Sequence, residues 1–154
     1  MNIRALLIAA LLGLAAACTP PAATTTETPE APAAPSADAT TEALLIVLTP
    51  VIAQEIGKPV SLQTTHVNVR DEWAFVIAQP RNPDGSAVDW STTTLAERHE
   101  LGVLDGDGTT YALLKQENGT WTVLEHAIGP TDVAWFNWAA EHGVPADIVG
   151  MPSN

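Results

Sequence analysis

An Asn-Gly pair at positions 118 and 119 divides two stretches of the chain, 109–116 and 120–128, that have strand-like patterns. Both residues of such a pair adopt positive φ angles at low cost, so the pattern predicts a β-hairpin with a tight turn. The second strand is expected to present two sets of side chains on opposite faces: Trp121, Val123, Glu125 and Ala127 against Thr122, Leu124, His126 and Ile128. The hairpin restricts the fold to one that contains an antiparallel sheet.

Two further stretches, 60–69 and 73–79, predict a second pair of strands, which are joined near residues 70–72. The later strand has two apolar faces, formed by Trp73, Phe75 and Ile77 on one side and by Ala74, Val76 and Ala78 on the other. A strand of this kind is expected in the centre of a sheet, covered on both sides. The sequence Asn-Pro-Asp-Gly at 82–85 predicts a turn after it.

A long helix is predicted over 42–56, because five apolar residues recur there at helical spacing. They are Leu44, Leu45, Leu48, Ile52 and Ile56. Gly57 and Pro59 are typical of a helix end. Pro50 allows two interpretations: the helix kinks there, or a second helix begins with Thr49 as its cap and Pro50 in its first position.

Two shorter helices are predicted later in the chain. Within 91–101, Thr94 and Glu97 have the spacing of a capping box, and Gly102 follows as a stop. The turn-forming sequence at 129–132 is expected to introduce the last helix, which runs to about His142.

These elements predict an α+β domain: an antiparallel sheet of about four strands, with an N-terminal helix, a short middle helix and a short C-terminal helix packed on one face. Over residues 42–128, this order of elements resembles that of the cystatin-like and NTF2-like folds. The resemblance implies a curved sheet with its main helix first.

The N-terminal stretch MNIRALLIAALLGLAAAC indicates export from a bacterial cell. Arg4 is followed by an apolar run and by small residues that lead to Cys18, the single cysteine of the chain. This run is short for a membrane span, which needs about 20 apolar residues. The ending resembles a lipobox, although Ala15 stands where such sites usually have Leu. The resemblance implies a signal peptide over 1–17 and acylation of Cys18.

Residues 18–41 are predicted to form a disordered tether, since after Cys18 they are almost entirely Thr, Pro, Ala and Glu and cannot bury a core. Residues 42–154 are then expected to form a single folded domain. The sorting rule of enteric lipoproteins has Asp after the cysteine of proteins kept in the inner membrane. Thr19 therefore implies anchoring in the outer membrane, facing the periplasm.

The charge of the chain excludes one class of partner. Removal of the predicted signal peptide also removes Arg4. The remaining chain has five Lys and Arg and 18 Asp and Glu, which gives a formal net charge of −13. Such a surface repels phosphate backbones, so nucleic-acid binding is not expected. The expected partners are the membrane, through the lipid on Cys18, and a protein or glycan of the cell envelope.

No catalytic motif is recognisable, and no cofactor is expected. The sequence contains no G-x-S-x-G, and its four histidines, at 66, 99, 126 and 142, do not have zinc-motif spacing. A metal site formed by two or three of them in space stays open as an alternative.

Asp105 begins an Asp-Gly-Asp-Gly sequence that suggests a calcium loop, but position 116 holds Gln rather than the Glu such a loop needs, so a turn is expected. Glu125 and His126 should point to opposite faces of their strand and not form an acid–base pair.

Five tryptophans in so small a domain suggest either a core or a binding surface. In the core interpretation, Trp73 and Trp121 lie on neighbouring strands beneath Trp135 or Trp138. In the binding interpretation, Trp135 and Trp138 share an exposed face of the last helix, and two polar residues assist them. Those residues are Asp132 at the start of the helix and His142 at its end.

These observations favour a membrane-tethered lipoprotein whose domain binds rather than catalyses. Two alternatives remain: a small NTF2-like envelope hydrolase that uses an acid and a histidine, and an inhibitor of a cationic cell-wall enzyme. The segments GPTDVAWFNW and DEWAFVIAQPRNPDG resemble a family of exported bacterial proteins, and that resemblance implies no activity.

Overall fold

The computed structural model describes residues 36–105, 107–145 and 147–150. The predicted signal peptide and Cys18 lie outside these residues. The fold is α+β, as predicted, and its elements follow in this order: α1 (Ala37–Ile56), β1 (Ser61–Arg70), β2 (Trp73–Arg81), a 3-10 turn (Trp90–Thr92), α2 (Ala96–Glu100), β3 (Thr110–Glu117), β4 (Thr120–Ile128) and α3 (Trp138–His142).

The four strands form one sheet in the order β1-β2-β3-β4, and each neighbouring pair is antiparallel. The predicted hairpin is confirmed, since Asn118 and Gly119 have φ angles of 51° and 79° between β3 and β4. The turn after β2 is also confirmed: the amide of Gly85 donates to the carbonyl of Asn82 at 2.8 Å. The connections from β2 to β3 and from β3 to β4 thus begin at turns that the local sequence favours.

Strand β2 is covered on both sides, as predicted. Its two alternating sets of side chains are buried in separate apolar cores. The first core contains Ala74, Val76, Ala78 and the buried residues of α1; the second contains Trp73, Phe75, Ile77 and Trp138 of α3. The expectation that all helices pack on one face is therefore wrong, because α1 and α3 cover opposite faces of the sheet.

Helix α1 begins at Ala37, inside the stretch that was expected to belong to the tether. Ser36 supplies the reason, because its side chain accepts a hydrogen bond from the amide of Ala39 and caps the helix. The helix ends at Gly57, whose φ of 79° is typical of a C-terminal stop. Residues 37–41 therefore belong to the folded domain.

Pro50 neither divides α1 nor starts a second helix, because α1 is one helix from Ala37 to Ile56. Pro50 and Ile46, one turn before it, both lie on the exposed side. A proline cannot donate to the carbonyl four residues earlier, and on this side water can satisfy that carbonyl instead.

Helix α1 is long and apolar enough to cross a membrane by length and composition alone. Leu44, Leu48, Ile52 and Ile56 are nevertheless fully buried against the sheet. Only 22% of the apolar window of α1 is buried, so one stripe of the helix packs against the sheet and the rest of its surface does not.

Strand β4 contains a β-bulge, because the residue pairs with β3 step from Leu113–Glu125 to Leu114–Val123. Leu124 is the extra residue, and it is 37% exposed. A bulge shifts the phase of a strand, so side chains before and after it change faces relative to a regular alternation.

The shift overturns the predicted grouping on β4. Toward α1 lie Trp121, Val123, His126 and Ile128, and toward α3 lie Glu125 and Ala127. Glu125 and His126 do point to opposite faces, as predicted. Strand β3 lies between the strands of Trp73 and Trp121, and the two side chains belong to different cores, so the expectation that they lie on neighbouring strands beneath Trp135 or Trp138 is wrong.

The predicted capping box at Thr94 is wrong as well. Helix α2 has Leu95 at its N-cap, without a side-chain cap. The hydroxyl of Thr94 instead donates to the carbonyl of Glu55, and its amide donates to the carbonyl of Ile56. Thr94 therefore satisfies two free carbonyls at the end of α1 and joins the middle segment to that helix.

The predicted turn before β3 is confirmed by a hydrogen bond of 2.7 Å from the amide of Gly108 to the carbonyl of Asp105. Gly108 has a φ of +62° and lies against the ring of Trp90, which is 5% exposed. A Cβ atom at Gly108 would lie 1.9 Å from Cζ2 of Trp90. The turn can therefore pass this closely over the indole only because residue 108 has no side chain.

Candidate functional site

The segment before α3 is not helical, contrary to prediction. Hydrogen bonds run from the amide of Phe136 to the carbonyl of Val133 and from that of Trp138 to that of Trp135, as in successive tight turns. Helix α3 begins only at Trp138. Asp132 is thus an exposed turn residue rather than the start of a helix.

Trp138 is a core residue and not part of an exposed platform. It is 7% exposed, and its ring meets Phe75 of β2 edge to face, with centroids 6.4 Å apart and planes at 67°. Buried aromatic pairs of this geometry stabilise a fold beyond the area they bury. Trp138 therefore fixes α3 to the sheet.

Trp135 lies at the edge of the same core. Its ring stacks on Tyr111 of β3, with centroids 3.9 Å apart and planes at 21°, and it stays partly exposed. Trp135 and Trp138 therefore do not share an exposed helix face: one contacts β3 and the other β2. The tight turns before α3 make these two separate contacts possible.

The exposed apolar side chains of this segment are Phe136 and Val133, which are 76% and 57% exposed. They border a surface depression of about 250 Å³ that is lined by Val133, Trp135, Phe136, Ala139 and Val149. We call these five residues the apolar patch. Sequence analysis singled out the tryptophans and missed Val133 and Val149. That Trp138 is buried could not be predicted from its own segment, because its burial depends on contact with Phe75 of β2.

The C-terminal segment that contributes Val149 is attached to β1. The side-chain amide of Asn68 donates to the carbonyls of Asp147 and Ile148, at 3.1 Å each. Arg70 forms an ion pair with the carboxylate of Asp147. Ile148 is buried in the second core, so these contacts hold one side of the apolar patch in place.

His142, the fourth predicted binding residue, lies at the end of α3 and contacts β4. Its Nε2 is 3.0 Å from Oε1 of Glu125, and the two side chains are partly exposed. Glu141 is close by: one ligating atom from each of these three residues lies within 4.8 Å of the others. We call Glu125, Glu141 and His142 the acidic-histidine cluster. Sequence spacing could not reveal it, because Glu125 and His142 are 17 residues apart.

A second histidine–carboxylate pair connects β4 to α1 on the opposite face. Nε2 of His126 is 2.6 Å from Oε2 of Glu55. This hydrogen bond raises the pKa of His126 above its ordinary value of 6.5, partial burial opposes the shift, and the charges of Glu55 and Glu125 add to it. The same bond lowers the pKa of Glu55 below 4.5 against the effect of partial burial, with help from the charges of His126 and Arg98.

Comparison of the chain with known protein families, with curated proteins and with solved structures gave no match.

Proposed function

We propose that this protein is a membrane-tethered lipoprotein whose domain binds another envelope protein through the apolar patch. The observation that carries the proposal is the exposure of Phe136 and Val133 beside an apolar depression, on a segment that is otherwise fixed by buried aromatic contacts. Exposed apolar side chains grouped on an ordered surface are typical of interaction sites.

The preferred partner is a protein segment that carries an apolar side chain on a basic background. The depression accepts a side chain, and exposed acids at Asp132, Glu141 and Asp147 belong to the same part of the chain. The net charge of the whole chain is strongly negative, so a cationic surface would associate faster than a neutral one. A cationic cell-wall enzyme, as in the inhibitor hypothesis, is one member of this class.

A glycan is a weaker candidate for this surface. Sugar rings are usually recognised by open aromatic faces, whereas Trp135 stacks on Tyr111 and Trp138 is buried. The hydrolase alternative also has less support, because the five side chains that line the depression are apolar and cannot transfer protons.

Cys18 supplies the anchor in this proposal. Each buried methylene of an attached lipid contributes about 0.8 kcal/mol, and stable anchoring requires more than one chain. Replacing Cys18 by Ala in the full chain should move the protein from the membrane fraction to the soluble fraction. A Cys18→Ala chain that still sedimented with membranes and resisted extraction by salt would contradict the anchor.

The binding surface is tested by photocrosslinking in cells that produce the full chain. A photoreactive phenylalanine analogue is placed at position 136, and in a matched control at position 101, because Leu101 is 69% exposed and lies outside the patch. We expect a discrete protein adduct from position 136 only, and competition by wild-type protein but not by the Phe136→Ser variant.

Equal adducts at positions 136 and 101, or full competition by Phe136→Ser, would overturn the proposed surface. An adduct that resists proteases and is degraded by glycan-cleaving enzymes would replace the protein partner with a glycan.

A further inference from the structure

The acidic-histidine cluster lies where the end of α3 meets the middle of β4, and it goes beyond the binding function proposed above. We propose that Glu125, Glu141 and His142 bind a divalent transition-metal ion of the zinc class. Three potential ligands from two elements converge there, with one ligating atom of each within 4.8 Å of the others.

The backbone places Glu125 and His142 through contacts that do not depend on the cluster itself. Glu125 points toward α3 because the bulge at Leu124 sets the phase of β4. His142 occupies the last turn of α3, which Trp138 holds against Phe75 and which Gly143 ends with a φ of 67°. Ligands fixed by separate packing require little further ordering when an ion binds.

The distances suit a small ion. Zinc lies about 2.0–2.2 Å from imidazole nitrogen and carboxylate oxygen, so two ligands in a tetrahedral site are about 3.2–3.6 Å apart. His142 Nε2 and Glu125 Oε1 are already 3.0 Å apart. A rotation of the exposed Glu141 side chain would complete a three-ligand site that leaves a position open for water.

The donor types select the kind of ion. Two carboxylates carry the charge that a divalent cation neutralises, and the strongly acidic chain favours cations in general. The imidazole distinguishes the metals, because neutral histidine suits zinc and its neighbours, whereas magnesium and calcium prefer oxygen ligands alone. For Nε2 to bind the ion, the proton of the neutral ring must be on Nδ1.

Glu141 distinguishes a metal site from a simple hydrogen bond between His142 and Glu125, because only the metal site would use its carboxylate. That bond has no need of Glu141, which is exposed, so Glu141→Gln should leave the fold unchanged. In a metal site, loss of even an outer partner costs about 10–100-fold in affinity, so we expect Glu141→Gln and His142→Gln to weaken binding at least about tenfold.

The experiment is calorimetric titration of the chelator-treated full chain in detergent with Zn²⁺, in the presence of excess Mg²⁺. Wild-type protein should bind one Zn²⁺ ion. Glu97→Gln and His99→Gln are the matched controls, because this exposed pair on α2 lies outside the cluster, and both should retain wild-type affinity within about twofold.

A second measurement on the wild-type chain avoids dependence on the variants. Zn²⁺ should shift the ring nitrogen resonances of His142 in a nitrogen NMR spectrum while leaving those of His99 unchanged. Absence of one-to-one binding, wild-type affinity in Glu141→Gln, equal weakening in the control variants, or an unshifted His142 ring would each overturn the proposal.

Discussion

The contact between Gly108 and Trp90 gives the sharpest test of the packing. Replacing Gly108 by Ala would place a Cβ atom 1.9 Å from Cζ2 of the Trp90 ring, far inside van der Waals contact. Overpacking of a core costs about 1–3 kcal/mol. A positive φ for an L-residue adds about 1–2 kcal/mol, of which about 0.4–1 kcal/mol is offset by the lower entropy of the unfolded chain. We therefore expect Gly108→Ala to lower the free energy of unfolding by about 1–5 kcal/mol.

Gly102 provides the matched control, because its φ of +67° is nearly the same and a Cβ atom there would meet nothing within 4 Å. Gly102→Ala should therefore lose only the conformational part, about 0–1.6 kcal/mol. The assay is urea unfolding followed by tryptophan fluorescence, with equal m-values required for the comparison. In a Trp90→Leu background the difference between the two glycine variants should shrink. Equal losses for Gly108→Ala and Gly102→Ala in the wild-type background would refute the packing argument.

Three further outcomes are expected. Pro50→Ala should raise the free energy of unfolding by about 1–3 kcal/mol, since it restores a missing helix hydrogen bond at an exposed position. Trp138→Ala should lower it by about 3–5 kcal/mol, whereas Phe136→Ala, at an exposed position, should change it by less than about 0.5 kcal/mol. The His126–Glu55 pair should stabilise the fold most between about pH 4.5 and 6.5. This stabilisation is lost as the pH falls from 4.5 through the lowered pKa of Glu55, or rises from 6.5 through the raised pKa of His126.

Each of these predictions is measured by denaturation, and a specific result would contradict each one. A destabilised Pro50→Ala variant would mean that the proline does not interrupt the helix hydrogen bonding. Similar losses in Trp138→Ala and Phe136→Ala would contradict their assigned burial. For the ion pair, thermal melting of wild type and His126→Gln is compared from pH 4 to 9. The difference should decline as the pH rises from 6.5 through the raised pKa of His126, and a constant difference would contradict the linkage.

Most of the sheet could be predicted from local sequence patterns. The turn at Asn118 and Gly119 depends on positive φ angles that those residues tolerate, and the two apolar faces of β2 follow from a period of two. The bulge at Leu124 could not be predicted in this way, because it depends on pairing with β3. The extra residue of this bulge places Trp121 and Glu125 on opposite faces of the sheet, whereas the alternation in the sequence predicted the same face.

The sequence drew attention to Trp135 and Trp138 but could not predict their surroundings. Which of these rings is exposed depends on Tyr111 and Phe75, which lie far away in the chain. Trp135 lies in the turns before α3 and Trp138 lies in α3 itself, and the exposed aromatic side chain of this segment is that of Phe136. His142 acquires its neighbour Glu125 only through the fold.

The attachment of Asp147 and Ile148 to Asn68 of β1 makes the second core depend on residues that are far apart in the chain. Phe75 and Leu113 lie in that core together with Trp138, Val144 and Ile148. Truncation before Val144 would remove two of these residues and expose part of the sheet face that they cover, so the shortened chain should be more sensitive to proteases and more prone to aggregate.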